Sequence, residues 1–179
     1  MLKTLTHPNI VRYFQTDLSP DGRGVDIILE FVPGGSIRQL LDKYHAFDER
    51  LVKIYTRQML EGLQYLHQNG IIHRDLKCAN VLVDNMGVIK LSDFGASKKI
   101  ISNFDNDNIT GGNVMDNQAI AKTFIGSPYW MAPEVIMKIG HGKPADIWSL
   151  GCCVIEMLTS KAPWSEHGKD AKVIMRTIV

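Results

Sequence analysis

Short apolar runs and turn clusters alternate at the start of the chain, and longer periodic segments follow. Ile10-Val11-Arg12-Tyr13-Phe14 is rich in β-branched and aromatic residues, and a second apolar run spans Val25 to Phe31. Ser19-Pro20-Asp21-Gly22-Arg23-Gly24 between them is a strong turn signal, which predicts an antiparallel pair closed off by Pro33-Gly34-Gly35. Ser36 is placed to cap a short helix running to about Tyr44. From Asp48 onward, Leu51, Ile54, Tyr55, Met59, Leu63 and Leu66 fall on one stripe at helical spacing, and Gly70 is placed to stop that helix. Val81-Leu82-Val83 and Val88-Ile89-Lys90-Leu91 read as two short strands joined by a tight turn at Asp84-Asn85-Met86-Gly87.

The stretch from Ser102 to Gln118 is dense in Asn, Asp and Gly and lacks an apolar period, so it reads as a surface loop. A linker between two domains is the alternative, weakened because the motifs on its two sides belong together. Ala145 to Thr159 is apolar almost all round, which predicts a helix in the middle of a core. No internal repeat is visible. The coarse class is α+β, a few strands first and then mostly helix.

Composition narrows the function classes. The 20 Lys and Arg residues against 19 Asp and Glu leave a net charge of +1, no electrostatic case for a nucleic-acid partner. A hydrophobic fraction of 45% and a charged fraction of 22% belong to a globular chain. The longest apolar runs are only a few residues, such as Cys152 to Ile155, whereas a membrane span needs about 20; this argues against an integral membrane protein. Met1 to Ile10 has no apolar core of a secretion signal. Cys78, Cys152 and Cys153 form no disulfide framework and fit a reducing, cytoplasmic home, with the nucleus left open. No Cys/His group has the spacing of a structural zinc site.

The chemistry-bearing block is His73-Arg74-Asp75-Leu76-Lys77-Cys78-Ala79-Asn80. Asp93-Phe94-Gly95 follows, then Gly126-Ser127-Pro128-Tyr129-Trp130-Met131-Ala132-Pro133-Glu134, then Asp146-Ile147-Trp148-Ser149-Leu150-Gly151. With these four motifs in order, the sequence resembles the eukaryotic protein kinases over nearly its whole length. The resemblance implies a two-lobed fold, a partial β-rich N-lobe of two strands and a mostly helical C-lobe, with ATP and Mg²⁺ as cofactors. Phosphoryl transfer needs an in-line hydroxyl, a metal-held nucleotide and compensation of charge on the transferring oxygens. By the resemblance, Asp75 takes the hydroxyl proton. An ordinary aspartate is a weak base near neutrality, so it orients the hydroxyl and accepts the proton late, as the P–O bond breaks. Lys77 would meet the γ-phosphate, and a lysine at this place marks a serine/threonine kinase. Asn80 and Asp93 are hard oxygen ligands suited to Mg²⁺.

The other implied roles follow from the same resemblance. Leu29-Glu30-Phe31-Val32 resembles the hinge between lobes, with backbone groups of Glu30 and Val32 on the adenine edge and Leu29 as gatekeeper. Leu82 would floor the purine, Ser36 would lie near the ribose, and Ala79 and Ser92 would line the same pocket. His73 is expected to stack with Phe94 rather than act as a base, with Tyr13 a further member of that stack. His7 is expected in a turn, and no role is assigned to His45, His67, His141 or His167. Glu134, Asp146 and Trp148 are expected to be structural. Arg74 implies an activation segment switched by phosphate, with Thr123 the candidate phosphosite and Ser127 the weaker one, its hydroxyl being expected to contact Asp75 and Lys77; Gly126 and Ser127 belong to the substrate loop. Glu30 to Ile37, Tyr55 to Gln58, Gly95 to Lys98 and Ser127 to Glu134 look like the mitogen-activated protein kinase kinase kinases, especially the plant and protist kind. That implies a protein substrate, a downstream kinase kinase.

Against the family pattern, a Gly-rich phosphate loop, a strand lysine of the Val-Ala-Ile-Lys type and its partner glutamate are missing ahead of Met1. The arginine that pairs with Glu134 would lie beyond Val179. The expectation is therefore one incomplete kinase domain, with residues 1–32 the remnant of the N-lobe and hinge and 33–179 a C-lobe lacking its last helices. By itself such a chain is expected to bind ATP poorly and transfer no phosphate. The rival reading is a non-catalytic, pseudokinase-like scaffold. The absent N-terminal elements favour it, and the joint presence of Asp75, Lys77, Asn80 and Asp93 argues against it.

Overall fold

The computed structural model describes residues 4–94, 97–99 and 127–179. The order is β1 (Tyr13–Leu18), β2 (Val25–Leu29), α1 (Ile37–Tyr44), α2 (Glu49–Gln68), β3 (Ile71–Ile72), β4 (Val81–Val83), β5 (Ile89–Leu91), β6 (Lys98–Lys99), α3 (Pro133–Ile136), α4 (Lys143–Thr159) and α5 (Ala171–Ile178). Among the described residues, three two-stranded antiparallel sheets, β1-β2, β3-β6 and β4-β5, accompany the helices, so the α+β class holds. No helix among the described residues is long and apolar enough to cross a membrane.

Local chemistry sets the helix ends. Ser36 caps α1 with a reciprocal capping box: its hydroxyl accepts from the Gln39 N–H, and the Gln39 side chain accepts from the Ser36 N–H. Asp48 caps α2 by accepting from the Arg50 and Leu51 N–H groups. After Asn69, Gly70 turns the chain at φ 69°, a conformation that suits glycine. The buried stripe of α2 is Val52, Tyr55, Met59, Gly62, Leu63 and Leu66. Ile54, expected on it, is 53% exposed, because a rotation of the stripe by part of a turn brings Val52 inward instead. Gly62 leaves room for a close approach there: a Cβ would sit 3.0 Å from both the Asn9 carbonyl oxygen and Leu91 Cδ1.

The first strand lies later than the pattern predicts. Ile10 and Val11 are buried and join β5 instead of β2: Val11 N–H donates to the Leu91 carbonyl and Leu91 N–H to the Asn9 carbonyl, both at 2.9 Å. The Asn9 side chain reinforces this by donating to the Ile89 carbonyl at 2.9 Å and to Gln58 Oε1 at 3.1 Å. The hairpin itself therefore begins at Tyr13, and most of its side chains are exposed.

The core gathers α2, Ile37 and Leu41 of α1, β3 to β5, and Leu150, Cys153 and Met157 of α4. α4 is not apolar-buried on every side: Ile147, Ile155 and Leu158 are exposed among the described residues. The cysteines are free and buried, and burial raises the thiols of Cys78 and Cys152, the latter to about 12. Residues 102–118, Gly95, Thr123 and Gly126 lie outside the described residues.

Candidate active site

The β4-β5 hairpin builds half of the site. Asp84 Oδ1 accepts from the Met86 and Val88 N–H groups, and Gly87 takes φ 77°, so the turn locks the register Val81↔Leu91. That register sets Asn80 against Ser92 at the open end, where Ser92 N–H and its hydroxyl donate to the Asn80 carbonyl at 2.9 and 3.0 Å. Asp93 follows at once, held at φ 60°, the left-handed region that a non-glycine residue occupies only at a cost of about 1–3 kcal/mol.

The loop from His73 to Asn80 builds the other half. Asp75 Oδ2 lies 2.9 Å from Lys77 Nζ and 3.1 Å from Asn80 Nδ2, which also donates to the Asp75 carbonyl at 2.8 Å. Lys77 Nζ reaches Ser127 Oγ at 3.0 Å, so a residue distant in sequence closes the cluster. The structure thus brings Asp75, Lys77, Asn80 and Ser127 together, with Asp93 next to Asn80's neighbour Ser92. Both N–H bonds of the Asn80 amide point to Asp75, which leaves its oxygen as the ligand atom.

Asp146 pins this loop from beneath. It is 1% exposed, and its two oxygens accept from the backbone N–H of His73 and of Arg74, each at 2.9 Å, and from His67 Nε2 at 2.7 Å. Burial pushes its carboxyl up, but the hydrogen bonds from His67, Arg74 and His73 outweigh burial and hold it below the usual range. The same bonds hold Arg74 at φ 71°. His67 thus has a place that the sequence reading did not give it; its position at the end of α2 was the available signal.

His73 is buried and tilted against Phe94, ring centroids 5.4 Å apart. Its Nε2–H donates to the Ser92 carbonyl at 3.0 Å, so Nδ1 faces the Asp75 N–H at 3.4 Å as an acceptor. Burial lowers its pKa despite the nearby Asp146, the Ser92 carbonyl, Asp75 and Asp93. A neutral, committed ring is a support for Asp75's backbone. Tyr13 is at the start of β1, opposite Leu29, with its hydroxyl 2.6 Å from Thr16. His7 stands in a turn, where its Nδ1 accepts from the Asn9 N–H at 3.1 Å.

The expected adenine side adjoins the same hairpin. Ser36 bridges to Leu82, and Val83 N–H donates to the Gly35 carbonyl at 2.8 Å, which joins the start of α1 to β4. Leu29 ends β2, and Val32 is buried. Glu30 is tied down by its own N–H to the Arg12 carbonyl, by Arg12 N–H on its carboxylate, and by Lys90 at 3.0 Å. The Ser36 hydroxyl serves the helix cap, and Ala79 is exposed between Cys78 and Asn80.

A small cavity below the loop is lined by Arg74, Asp75, Ser127, Trp130 and His141 among others. Burial first, then the Arg74 charge, lowers the His141 pKa. Glu134 opens α3, and the buried Trp148 indole N–H has no acceptor among the described residues. The residues that sequence reasoning missed are Arg38, Trp130 and Glu156. Arg38 donates to Glu156 Oε1 at 2.9 Å, and Trp130 Nε1 to Glu156 Oε2 at 3.0 Å. The signal available was an acid, Glu156, far from Asp146 in the otherwise apolar run of α4.

A family model described as the protein kinase domain matches residues 1–179. The chain is 54% identical over 174 residues to mitogen-activated protein kinase kinase kinase ANP1 of Arabidopsis thaliana, covering 97% of this chain and 24% of that protein. It is 49% identical over 177 residues to mitogen-activated protein kinase kinase kinase A of Dictyostelium discoideum, covering 97% and 17%. It is 45% identical over 173 residues to mitogen-activated protein kinase kinase kinase 3 of Homo sapiens, covering 97% and 26%. The chain therefore spans about a quarter or less of the length of these curated relatives.

Proposed function

The chain belongs to the protein kinase domain family, and on that premise we propose that it serves an ATP-dependent protein serine/threonine kinase of the mitogen-activated protein kinase kinase kinase type. The protein moves the γ-phosphate of ATP to a Ser or Thr of a downstream kinase kinase, in the cytoplasm. The observation that carries this reading is the cluster in which one Asp75 oxygen meets Lys77 Nζ at 2.9 Å and Asn80 Nδ2 at 3.1 Å, with Ser127 Oγ on the same ammonium at 3.0 Å. The relatives' names support the substrate class.

The donor set suits magnesium, because the Asn80 amide and the Asp93 carboxylate are hard oxygen ligands, and Asp93 directly follows Ser92, whose N–H bonds the Asn80 carbonyl at the end of one hairpin. When bound, the metal neutralises charge on the phosphate oxygens. Asp75 orients the acceptor hydroxyl and receives its proton as the new P–O bond forms. Lys77, already held between Asp75 and Ser127, presents its ammonium to the transferring phosphate, and Ser127 brings the substrate loop to the same point. Lys77 and Asn80 hold the Asp75 carboxylate in one orientation, the positioning on which this chemistry depends. Leu29, Glu30, Val32, Ser36, Ala79, Leu82 and Ser92 form the nucleotide side of the reading. Arg74 receives a phosphate on Thr123 as the regulatory arm.

The test is phosphate transfer from Mg-ATP by the full-length protein to a catalytically dead downstream kinase kinase. Asp75→Asn is expected to lower the rate by about 10²–10⁴-fold, the usual worth of a positioned base, and Thr123→Ala to lower it measurably. Full activity in Asp75→Asn, or phosphate found on tyrosine alone, overturns the reading. Unchanged turnover in Thr123→Ala removes the regulatory arm.

A further inference from the structure

We infer that His141 is a positioning residue for Arg74: one water molecule, held in the cavity below the loop from His73 to Asn80, joins His141 Nε2 to Arg74 Nε by hydrogen bonds. The inference rests on the kinase reading for its effect on turnover, but its geometry stands by itself. Arg74 of the loop and His141, just ahead of α4, line this cavity together with Ser149 of α4. Arg74 Nε and His141 Nε2 are both shut off from solvent, and neither has a hydrogen-bond partner among the described residues. Buried polar atoms are costly when unpaired, and an internal water is the common way to satisfy them. The cavity offers about 10 Å³ to the centre of a water-sized sphere, room for one water and too little for a phosphate.

The chemistry of the lining suits a water. Arg74 Nε–H can only donate, so it gives its proton to the water oxygen. His141 has to accept. Burial first, then the Arg74 charge, keeps its ring neutral near neutrality, against the pull of Asp146 and Glu134. With the ring proton on Nδ1, the Nε2 lone pair is free to take one water proton. The Ser149 hydroxyl donates to the Trp130 carbonyl at 2.7 Å and the Ala145 carbonyl at 3.0 Å, and its lone pairs are left for the other. Such a water makes about three bonds, the usual number for a buried one. The consequence falls on Arg74. Its backbone is pinned by Asp146 at 2.9 Å and held at φ 71°, but a pinned backbone leaves a long side chain free to turn. A bond at Nε, which lies in the guanidinium plane, fixes that plane. The plane decides whether a phosphate is met by two parallel N–H groups or by one.

The test compares the full-length protein with its His141→Leu and His141→Gln variants. Leucine removes the acceptor, and glutamine restores one close to the place of Nε2. Crystals of the parent are expected to show a density peak about 2.6–3.2 Å from both Arg74 Nε and His141 Nε2. In His141→Leu the peak is expected to vanish and the Arg74 guanidinium to turn. No peak in the parent, a direct bond between the two side chains, or an unmoved guanidinium in His141→Leu overturns the inference. The rate gained on phosphorylating Thr123 is expected to fall about fivefold in His141→Leu, the worth of one hydrogen bond, and to stay within about twofold of the parent in His141→Gln. An unchanged gain in His141→Leu, or an equal loss in both variants, also overturns it. If the parent transfers no phosphate, or gains nothing from phosphate on Thr123, the kinase reading or its regulatory arm falls and the crystals decide: the peak with a turned guanidinium upholds the positioning role, and the lack of either overturns it. If His141→Leu fails to fold, the parent's peak and the gain in His141→Gln decide, and a missing peak or a fivefold loss there overturns the inference.

Discussion

The loop from His73 to Asn80 and the β1-β2 hairpin are both short, yet opposite forces hold them. The hairpin is a ladder of backbone bonds from Tyr13↔Leu29 to Leu18↔Val25, with Leu18 77% and Ile27 59% exposed. The loop has almost no ladder. Side chains from far away hold it instead: Asp146 takes two of its N–H groups, the Ser92 carbonyl takes the His73 ring, and Leu76 and Cys78 are sunk in the core. Strand pairing gives a shape that tolerates many side chains. Buried polar pairing gives a shape that needs particular ones, and it can hold Arg74 at φ 71°, which a ladder would not.

The largest test of that contrast is Asp146→Ala. It strips the acceptor from the His73 and Arg74 N–H groups and from His67, and leaves buried donors unpaired. Each such group costs about 1–3 kcal/mol, so a loss of about 3 kcal/mol or more in unfolding free energy is expected from denaturant titration. A loss below about 1 kcal/mol would mean that the loop holds its shape without this anchor.

A smaller effect follows from His73. Burial lowers its pKa, so below about pH 6.5 the unfolded chain binds a proton that the folded chain refuses. Stability therefore falls as pH drops through that range. His7 and His141, also lowered first by burial, act in the same direction, whereas the lowered Asp146 acts only further down, in the carboxylate range. His73→Phe keeps a ring against Phe94 and cannot titrate. The slope of stability against pH between about 7 and 5 should flatten by up to about one proton. A slope equal to that of the parent would assign the acid sensitivity to the other histidines.

The same contrast explains what could be read from the amino acids beforehand. The cap Ser36, the helix start near Asp48 and the stop at Gly70 were legible because such end signals act between residues two or three apart. The motif residues Asp75, Lys77, Asn80 and Ser127 were legible as a set, and the structure adds the bonds among them. The first strand was displaced because Ile10 and Val11 answer to Leu91, a partner that no local pattern reveals. The two-residue strands β3 and β6 were missed for the same reason: Ile71↔Lys99 is a tertiary pairing with no run long enough to show a period. Glu156 with Arg38 and Trp130 belongs to this class, since its partners stand on α1 and in the turn before α3.

The smallest effect sharpens the hairpin side of the comparison. Ile27 pairs with Thr16 in the ladder and is 59% exposed in the 179-residue chain. Ile27→Thr keeps a β-branched side chain, so the strand loses little propensity, and most of the surface removed was already in water. The expected change in unfolding free energy of this chain is within about 0.5 kcal/mol, as for other open positions. The register should survive as well, because the bonds of β1 to β2 are backbone bonds. A loss above about 1 kcal/mol would show that the face is covered in solution. The hairpin would then resemble the loop, held by what packs on it as much as by its own ladder.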